Sequence, residues 1–114
     1  MINIYDDINK LQATFRQTEE FVNLQKAVED VRADEQSKAL FTNFRDVQMK
    51  LQQKQAGGEE ITEEEYVFLQ KTAQLAQQDV KILAMLEAEM ALSSVIEEVN
   101  RLITQPIQSL YDGL

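Results

Sequence analysis

Apolar residues recur at intervals of three and four positions near the start of the chain. Ile4, Ile8, Leu11 and Phe15 follow this spacing, with mostly polar residues between them. Because an α-helix has about 3.6 residues per turn, this spacing places all four on one face. The pattern therefore predicts an amphipathic helix over roughly residues 3–17.

Two further helices are predicted before the only pair of glycines. Thr18 begins the second, because it precedes two acidic residues and a new apolar stripe, and Asp34 is the candidate N-cap of the third. The stripes are Phe21, Leu24, Val28 and Val31 in the second helix, and Leu40, Phe41, Phe44, Val47 and Leu51 in the third, which extends to about Gln55. Gly57-Gly58 then predicts a break.

A fourth helix starts from a capping box. Thr62 and Glu65 fit the pattern in which the cap and the third helical residue satisfy each other's backbone N–H groups. Tyr66, Leu69, Ala73 and Ala76 are expected on the packed side of this helix. Asp79 is a candidate cap for a fifth helix; a helix that continues through it also fits, and we favour the break.

The last segment, from Val80 to about Thr104, is the most hydrophobic. One stripe comprises Ile82, Met85, Leu92, Ile96, Val99 and Ile103, and a second comprises Leu83, Leu86 and Met90. So wide an apolar face requires partners on two sides, which a five-helix monomer does not readily supply. We therefore expect self-association, with Leu83, Leu86 and Met90 in the interface. Pro106 is expected to interrupt the helix, with a final half-turn after it.

Composition supports one all-α domain that spans residues 1–114, a helical bundle of about five helices; the wide apolar face of its last helix predicts that the bundle forms oligomers. The chain of 114 residues is 44% hydrophobic and 27% charged, which is typical of globular proteins. It contains one Pro and three Gly, far too few for the many turns of a β-sandwich of this size.

The residue types that are absent restrict the chemistry. The chain has no Cys and no His, so disulfides, Cys-based metal centres and catalytic arrangements that need an imidazole or thiol cannot be built. We expect no enzymatic activity and no cofactor. A net charge of −9 disfavours direct nucleic-acid binding and association with anionic membranes. No signal peptide or membrane span is visible, and a cytoplasmic location is expected.

Two charged clusters have functional and structural interpretations. The acidic run of Glu59, Glu60, Glu63, Glu64 and Glu65 could bind a hard cation, but its spacing fits no calcium loop, and acidic residues favour a helix N-terminus in any case. Arg45, Lys50 and Lys54 could contact RNA, but no aromatic residue on that face would stack with bases. For both clusters we favour the interpretation that the side chains are exposed to water and bind neither a cation nor RNA.

Glu89 is the one acidic residue that falls within the apolar stripe of the last helix, between Met85 and Leu92. A buried carboxylate without a partner is costly, so we expect Glu89 either in a buried ion pair or at the edge of an interface. We favour the pair, with Arg45 as its partner, because the neighbours Phe44 and Val47 are expected to face the core.

Several segments resemble the YheA branch of the YlbF/YmcA family of Gram-positive bacteria, over nearly the whole chain. They are Phe44-Arg45-Asp46-Val47-Gln48, Leu51-Gln52-Gln53-Lys54-Gln55, Gly58-Glu59-Glu60-Ile61-Thr62, Glu87-Ala88-Glu89, Val99-Asn100-Arg101 and Pro106-Ile107-x-x-Leu110-Tyr111. The resemblance implies a small helical protein that forms homodimers or higher oligomers and is not an enzyme.

Better-described members of that family are subunits of a cytoplasmic complex that affects competence, sporulation, biofilm formation and mRNA processing by a membrane-tethered ribonuclease. Some carry C-terminal cysteines linked to an iron–sulfur cluster. Because this chain has no Cys, that cofactor role does not transfer to it. We expect a non-enzymatic interaction or regulatory module that binds itself and other helical proteins. An RNA-processing accessory factor and a carboxylate-based metal-binding protein are the alternatives.

Overall fold

The computed structural model describes all of residues 1–114 and contains five α-helices and no strand. The helices are α1 (Ile4–Phe15), α2 (Glu19–Ala33), α3 (Glu35–Ala56), α4 (Glu63–Gln78) and α5 (Val80–Tyr111). The all-α prediction, with five helices and a long one at the C-terminal end, is confirmed. No helix is both long enough and apolar enough to cross a membrane.

The predicted caps of the second and third helices are confirmed. The Thr18 hydroxyl accepts a hydrogen bond from the backbone N–H of Phe21 at 3.2 Å and donates one to the carbonyl of Phe15 at 2.7 Å. Asp34 Oδ1 accepts from the backbone N–H of Ser37 at 3.0 Å. Each cap satisfies an N–H group that has no partner inside its helix, so these starts are determined locally.

The capping box at the start of α4 is also present in full. Thr62 Oγ1 accepts from the backbone N–H of Glu65 at 3.2 Å, and Glu65 Oε1 accepts from the backbone N–H of Thr62 at 3.1 Å. Asp79 is extended, with ψ of 122°, and its Oδ1 accepts from the backbone N–H of Ile82 at 3.0 Å. The favoured break at Asp79 is therefore confirmed.

The glycine pair ends α3 as predicted. The backbone N–H of Gly57 still bonds to the carbonyl of Gln53, at 3.0 Å, and the helix ends there. Gly58 has a φ of +76°, a conformation in which a Cβ atom would clash with the backbone. The chain then reverses into α4 within a few residues.

The prediction that Pro106 interrupts the last helix is wrong, because α5 runs through it to Tyr111. Proline removes one backbone hydrogen bond, and its ring crowds the carbonyl four residues earlier. Both costs are lower near an exposed helix end, where the backbone can adjust and water can bond to the freed carbonyl. Every residue from Arg101 onwards is exposed, so water can satisfy that carbonyl. The helix therefore tolerates the proline near its end.

The chain divides into two compact units, which we describe separately. The terminal unit comprises Met1–Leu24 and Glu87–Leu114, and the central unit comprises Gln25–Leu86. Both unit boundaries fall inside helices, within α2 and α5. The expectation of a single domain over residues 1–114 stays a prediction.

The central unit contains nearly all of the buried side chains. Its α3 and α4 lie side by side as a helical hairpin. Its buried apolar residues are Val31, Leu51, Ala76, Ile82 and Met85, and the polar Ser37 and Thr72 are buried with them. Ile82 is fully inaccessible to solvent. The N-terminal part of the predicted α5 stripe is therefore core, as its spacing indicated.

The terminal unit has almost no core of its own. Leu92 is its one buried side chain. Phe15 and Phe21 pack edge to face at the corner between α1 and α2, with ring centroids 5.6 Å apart. This pair and the Thr18 cap fix the corner, but most of the apolar side chains of the unit stay in contact with solvent.

Candidate interaction surfaces

A shallow apolar groove of about 230 Å³ lies between α1 and α5 in the terminal unit. Ile8, Leu11 and Phe15 line it from α1, and Ile96 and Val99 line it from α5. Ile8, Leu11 and Ile96 are each close to half exposed. The α1 stripe predicted from the sequence therefore faces α5, but α5 covers it only in part.

The apolar face of α5 continues past this groove without any cover. Ile103, Ile107 and Leu110 are 65%, 54% and 79% exposed. Together with Ile96 they repeat at intervals of seven, four and three residues, which places them along one line of the helix. We call Ile96, Ile103, Ile107 and Leu110 the C-terminal face.

The residues predicted for self-association lie farther toward the start of α5. Leu83 is 43% exposed, Met90 is 71% exposed, and Leu86 is half-buried. Leu83 and Met90 are thus accessible to a partner, whereas Leu86 is partly covered by its own chain. Their contact with a second copy stays a prediction.

The expectation of a buried Glu89 needs correction. Glu89 is exposed, and so is Arg45. The three ion pairs of the chain join Lys54 to Glu65, Lys81 to Asp34 and Arg101 to Glu98. Because Glu89 keeps its hydration, it needs no partner. Helical spacing placed it in the apolar stripe between Met85 and Leu92, which are both buried, so Glu89 lies at the edge of the stripe and not within it.

The acidic run contributes to helix capping. Glu65 accepts hydrogen bonds from Lys54 Nζ at 2.7 Å and from Thr62. The Lys54 ammonium, followed by the Thr62 backbone N–H, lowers the pKa of Glu65 below its ordinary value. No group of three or more carboxylates in the chain is arranged to hold a metal ion.

The three basic residues considered for RNA contact have different surroundings. Lys54 is bound to Glu65, and Lys50 lines a groove with Glu64 and Glu65. Arg45 is exposed. Since acidic side chains accompany two of the three, these residues do not form a free basic patch of the kind that binds phosphates.

The outer side of α4 carries a surface that the sequence analysis missed. Phe68 is 53% exposed and Val67 is 45% exposed. Phe68 lines two grooves, one of about 410 Å³ and one of about 300 Å³, and Glu64 lines both as well. Lys71 lines the larger groove, and Val47 lines the smaller one. We call Glu64, Val67, Phe68 and Lys71 the α4 face.

The predicted packed side of α4 is confirmed at Leu69 and Ala73, which are half-buried, and at Ala76, which is buried; it is wrong at Tyr66. Thr72 is buried and Ala76 is 2% exposed, whereas Tyr66, expected on the packed side, is 48% exposed. The available signal was the run Tyr66-Val67-Phe68. Three consecutive large apolar residues cannot all face one neighbour on a helix, so at least one had to be exposed.

A polar cluster joins the start of α3 to the α4–α5 junction inside the central unit. The buried Ser37 hydroxyl donates to Asp79 Oδ2 at 2.7 Å, and Lys81 Nζ donates to Asp34 Oδ2 at 2.9 Å. Both acids are also N-caps. The Ser37 hydroxyl lowers the pKa of Asp79, and the Ser37 backbone N–H, followed by Lys81, lowers the pKa of Asp34.

Comparison with known proteins settles the family. A family model described as control of competence regulator ComK, YlbF/YmcA, matches residues 4–108. The chain belongs to the YlbF/YmcA family. The resemblance inferred from the motifs is therefore confirmed, including its extent along the chain.

Relatives within the YlbF/YmcA family are similar over their full length. A UPF0342 protein of Lysinibacillus sphaericus is 59% identical over 100% of this chain and 99% of its own length. The UPF0342 protein YheA of Bacillus subtilis is 47% identical over 99% of this chain and 97% of its own length.

Two solved structures show the same fold. A protein of unknown function (DUF964) from Bacillus stearothermophilus superposes with a TM-score of 0.89 at 33% identity and covers 97% of each chain. The yheA protein of Bacillus subtilis superposes with a TM-score of 0.74 at 36% identity, over 96% of this chain and 100% of its own.

Proposed function

We propose that this YlbF/YmcA family protein is a non-enzymatic interaction module that acts as a homo-oligomer and associates through α5. The observation that carries the proposal is the terminal unit, in which Leu92 is the one buried side chain. A helical unit is stable when its apolar stripe is buried against another element. A second copy would supply the cover that this unit lacks.

The C-terminal face offers an apolar surface for such a contact. Ile103, Ile107 and Leu110 are more than half exposed, and covering the exposed part of each would stabilise the assembly by about 1 kcal/mol. Soluble monomers rarely leave long apolar patches open to water. Ile8 and Leu11 of α1 extend the same surface across the groove.

The regulatory character of the proposal has two supports. The matching family is described by control of a competence regulator rather than by a reaction. The chain also has no His and no Cys, and it has no group of three carboxylates placed for a metal. We propose that its partners are other helical proteins and that it works in the cytoplasm.

Light scattering on the purified chain tests the self-association. We expect an average mass well above the 13.1 kDa of one chain at micromolar concentration. The double variant Ile103→Asp/Ile107→Asp should return the mass to that of one chain, because it places charges inside the apolar contact. Leu102→Asp is the matched control, since Leu102 is 53% exposed on another face of the same helix. A wild-type monomer would refute the proposal.

The residues predicted first, Leu83, Leu86 and Met90, are tested separately. Met90→Asp should lower the average mass if the interface extends toward the start of α5. Because Met90 is 71% exposed, this change should leave the folded chain intact, as circular dichroism can verify. An unchanged mass would remove Met90 from the interface and restrict association to the C-terminal face.

A further inference from the structure

The α4 face has a charge pattern that is complementary to itself. Glu64 and Lys71 are seven residues apart, which is two helical turns, or about 10.5 Å along the axis. They project in nearly the same direction, between Val67 and Phe68. Both line the larger groove beside Phe68. Neither belongs to any of the three ion pairs within the chain.

From this pattern we infer that α4 binds the α4 of a second copy in antiparallel orientation, as a second self-interface separate from α5. A two-fold axis between Val67 and Phe68 places Glu64 of each copy level with Lys71 of the other. Val67 and Phe68 of both copies then cover one another at the centre. Such an interface is isologous, since the same patch is used on both sides.

The charges of the α4 face favour one orientation of the two helices and one partner for this surface. A parallel arrangement would set Glu64 against Glu64 and Lys71 against Lys71, and like charges at an interface are unfavourable. In the antiparallel arrangement Glu64 and Lys71 each meet the opposite charge, and the helix dipoles also oppose each other favourably. Glu63 lines the same groove, lies level with Thr72 of the other copy and stays hydrated at the rim. A second copy of the chain carries the same two charges at the same spacing. It therefore supplies the match without any further assumption about the partner.

The expected association is weak and depends on concentration. The α4 face is small compared with the roughly 800 Å² per partner of a standard stable interface. Its apolar centre consists of two residues per copy, 45% and 53% exposed. Weak association through a second surface would join α5-linked oligomers into larger assemblies, or join single chains into dimers. The inference does not rest on the function proposed above.

The experiment is a charge exchange in the Ile103→Asp/Ile107→Asp background, which removes the C-terminal face. Mass is measured by sedimentation from about 1 µM to about 1 mM. We expect the parent to dimerise within this range. E64K alone and K71E alone should each weaken dimerisation about tenfold or more, because each places two like-charged pairs across the axis.

Restoration is the decisive result. The double variant E64K/K71E should dimerise like the parent, and an equimolar mixture of E64K and K71E should form heterodimers more tightly than either forms homodimers. K38E is the control, since Lys38 is exposed in the same unit and in no ion pair. A parent that stays monomeric at every concentration, or single variants that dimerise like the parent, would overturn the inference. The inference would also be overturned if the mixture of E64K and K71E associated no more tightly than either variant alone. That result would assign the α4 face to a different protein.

Failure here and failure of the α5 proposal are distinguishable. The α5 proposal is judged on the chain with an intact C-terminal face, and the α4 inference is judged with that face removed. Loss of one form of association leaves the readout of the other unchanged.

Discussion

The hydroxyl of Ser37 donates a 2.7 Å hydrogen bond to Oδ2 of Asp79, which is 42 residues farther along the chain. Ser37 is 2% exposed, and the other carboxylate oxygen of Asp79 caps α5. One carboxylate thus starts a helix and also holds the beginning of α3 against that start. The bond therefore connects the starts of α3 and α5, each of which is capped by a residue next to it in sequence.

Ser37→Ala should destabilise the chain by about 1.5–3 kcal/mol, the range for hydrogen bonds to charged groups. The change removes the donor and leaves a carboxylate oxygen without its partner. Urea denaturation followed by circular dichroism measures the loss. Ser93→Ala is the control, because Ser93 is exposed on α5, and it should leave the midpoint unchanged.

Stability should fall in acid. Hydrogen bonds from Ser37 lower the pKa of Asp79 and of Asp34, and the Lys54 ammonium lowers that of Glu65. A carboxyl group whose pKa is lower in the folded state contributes stability above its unfolded pKa of about 4, and this is lost as pH falls through the folded value. Urea midpoints should therefore drop between about pH 5 and the acid limit of the native state.

Asp79→Asn separates this effect from general acid sensitivity. The variant should be less stable at neutral pH and should lose less on acidification, since one of the linked carboxylates is gone. Asp46→Asn, at an exposed position outside every ion pair, should retain the wild-type pH profile. Equal profiles for all three proteins would contradict the linkage.

Thr62→Ala should cost about 0.5–2 kcal/mol, the range for lost N-caps. The change removes the acceptor for the Glu65 N–H and one donor to the Glu65 carboxylate. Thermal or urea melts measure it. Thr42→Ala is the matched control inside α3, where Thr42 is exposed; comparable losses in both variants would show that the capping box contributes nothing specific.

Glu89→Ala should leave the stability of the dilute chain unchanged, because Glu89 is exposed and does not form the buried ion pair expected from the sequence. Arg45→Ala should do the same for the same reason. Urea midpoints should be compared at low and high protein concentration. A loss that appears for Glu89→Ala only at high concentration would show that a second copy covers this residue.

Local patterns in the sequence determined the helices and where they begin. Thr18, Asp34, Thr62 and Asp79 each accept a hydrogen bond from the N–H group three residues farther along the chain, so their roles follow from sequence neighbours alone. The apolar spacing likewise identified all five helices. The prediction for Pro106 was wrong because the cost of a proline depends partly on whether the surrounding backbone can adjust and water can reach the freed carbonyl, which are properties of the folded surface.

Only the tertiary structure decided which parts of each apolar stripe are covered. Ile82 and Ile103 lie on the same predicted stripe, yet one is fully buried and the other is 65% exposed. Spacing fixes the direction of a side chain around its own helix, and burial depends on what packs against that direction. The same limit explains Glu89, the outward-facing Phe68, and the bond from Ser37 to Asp79, since contacts between residues far apart in sequence leave no local pattern to read.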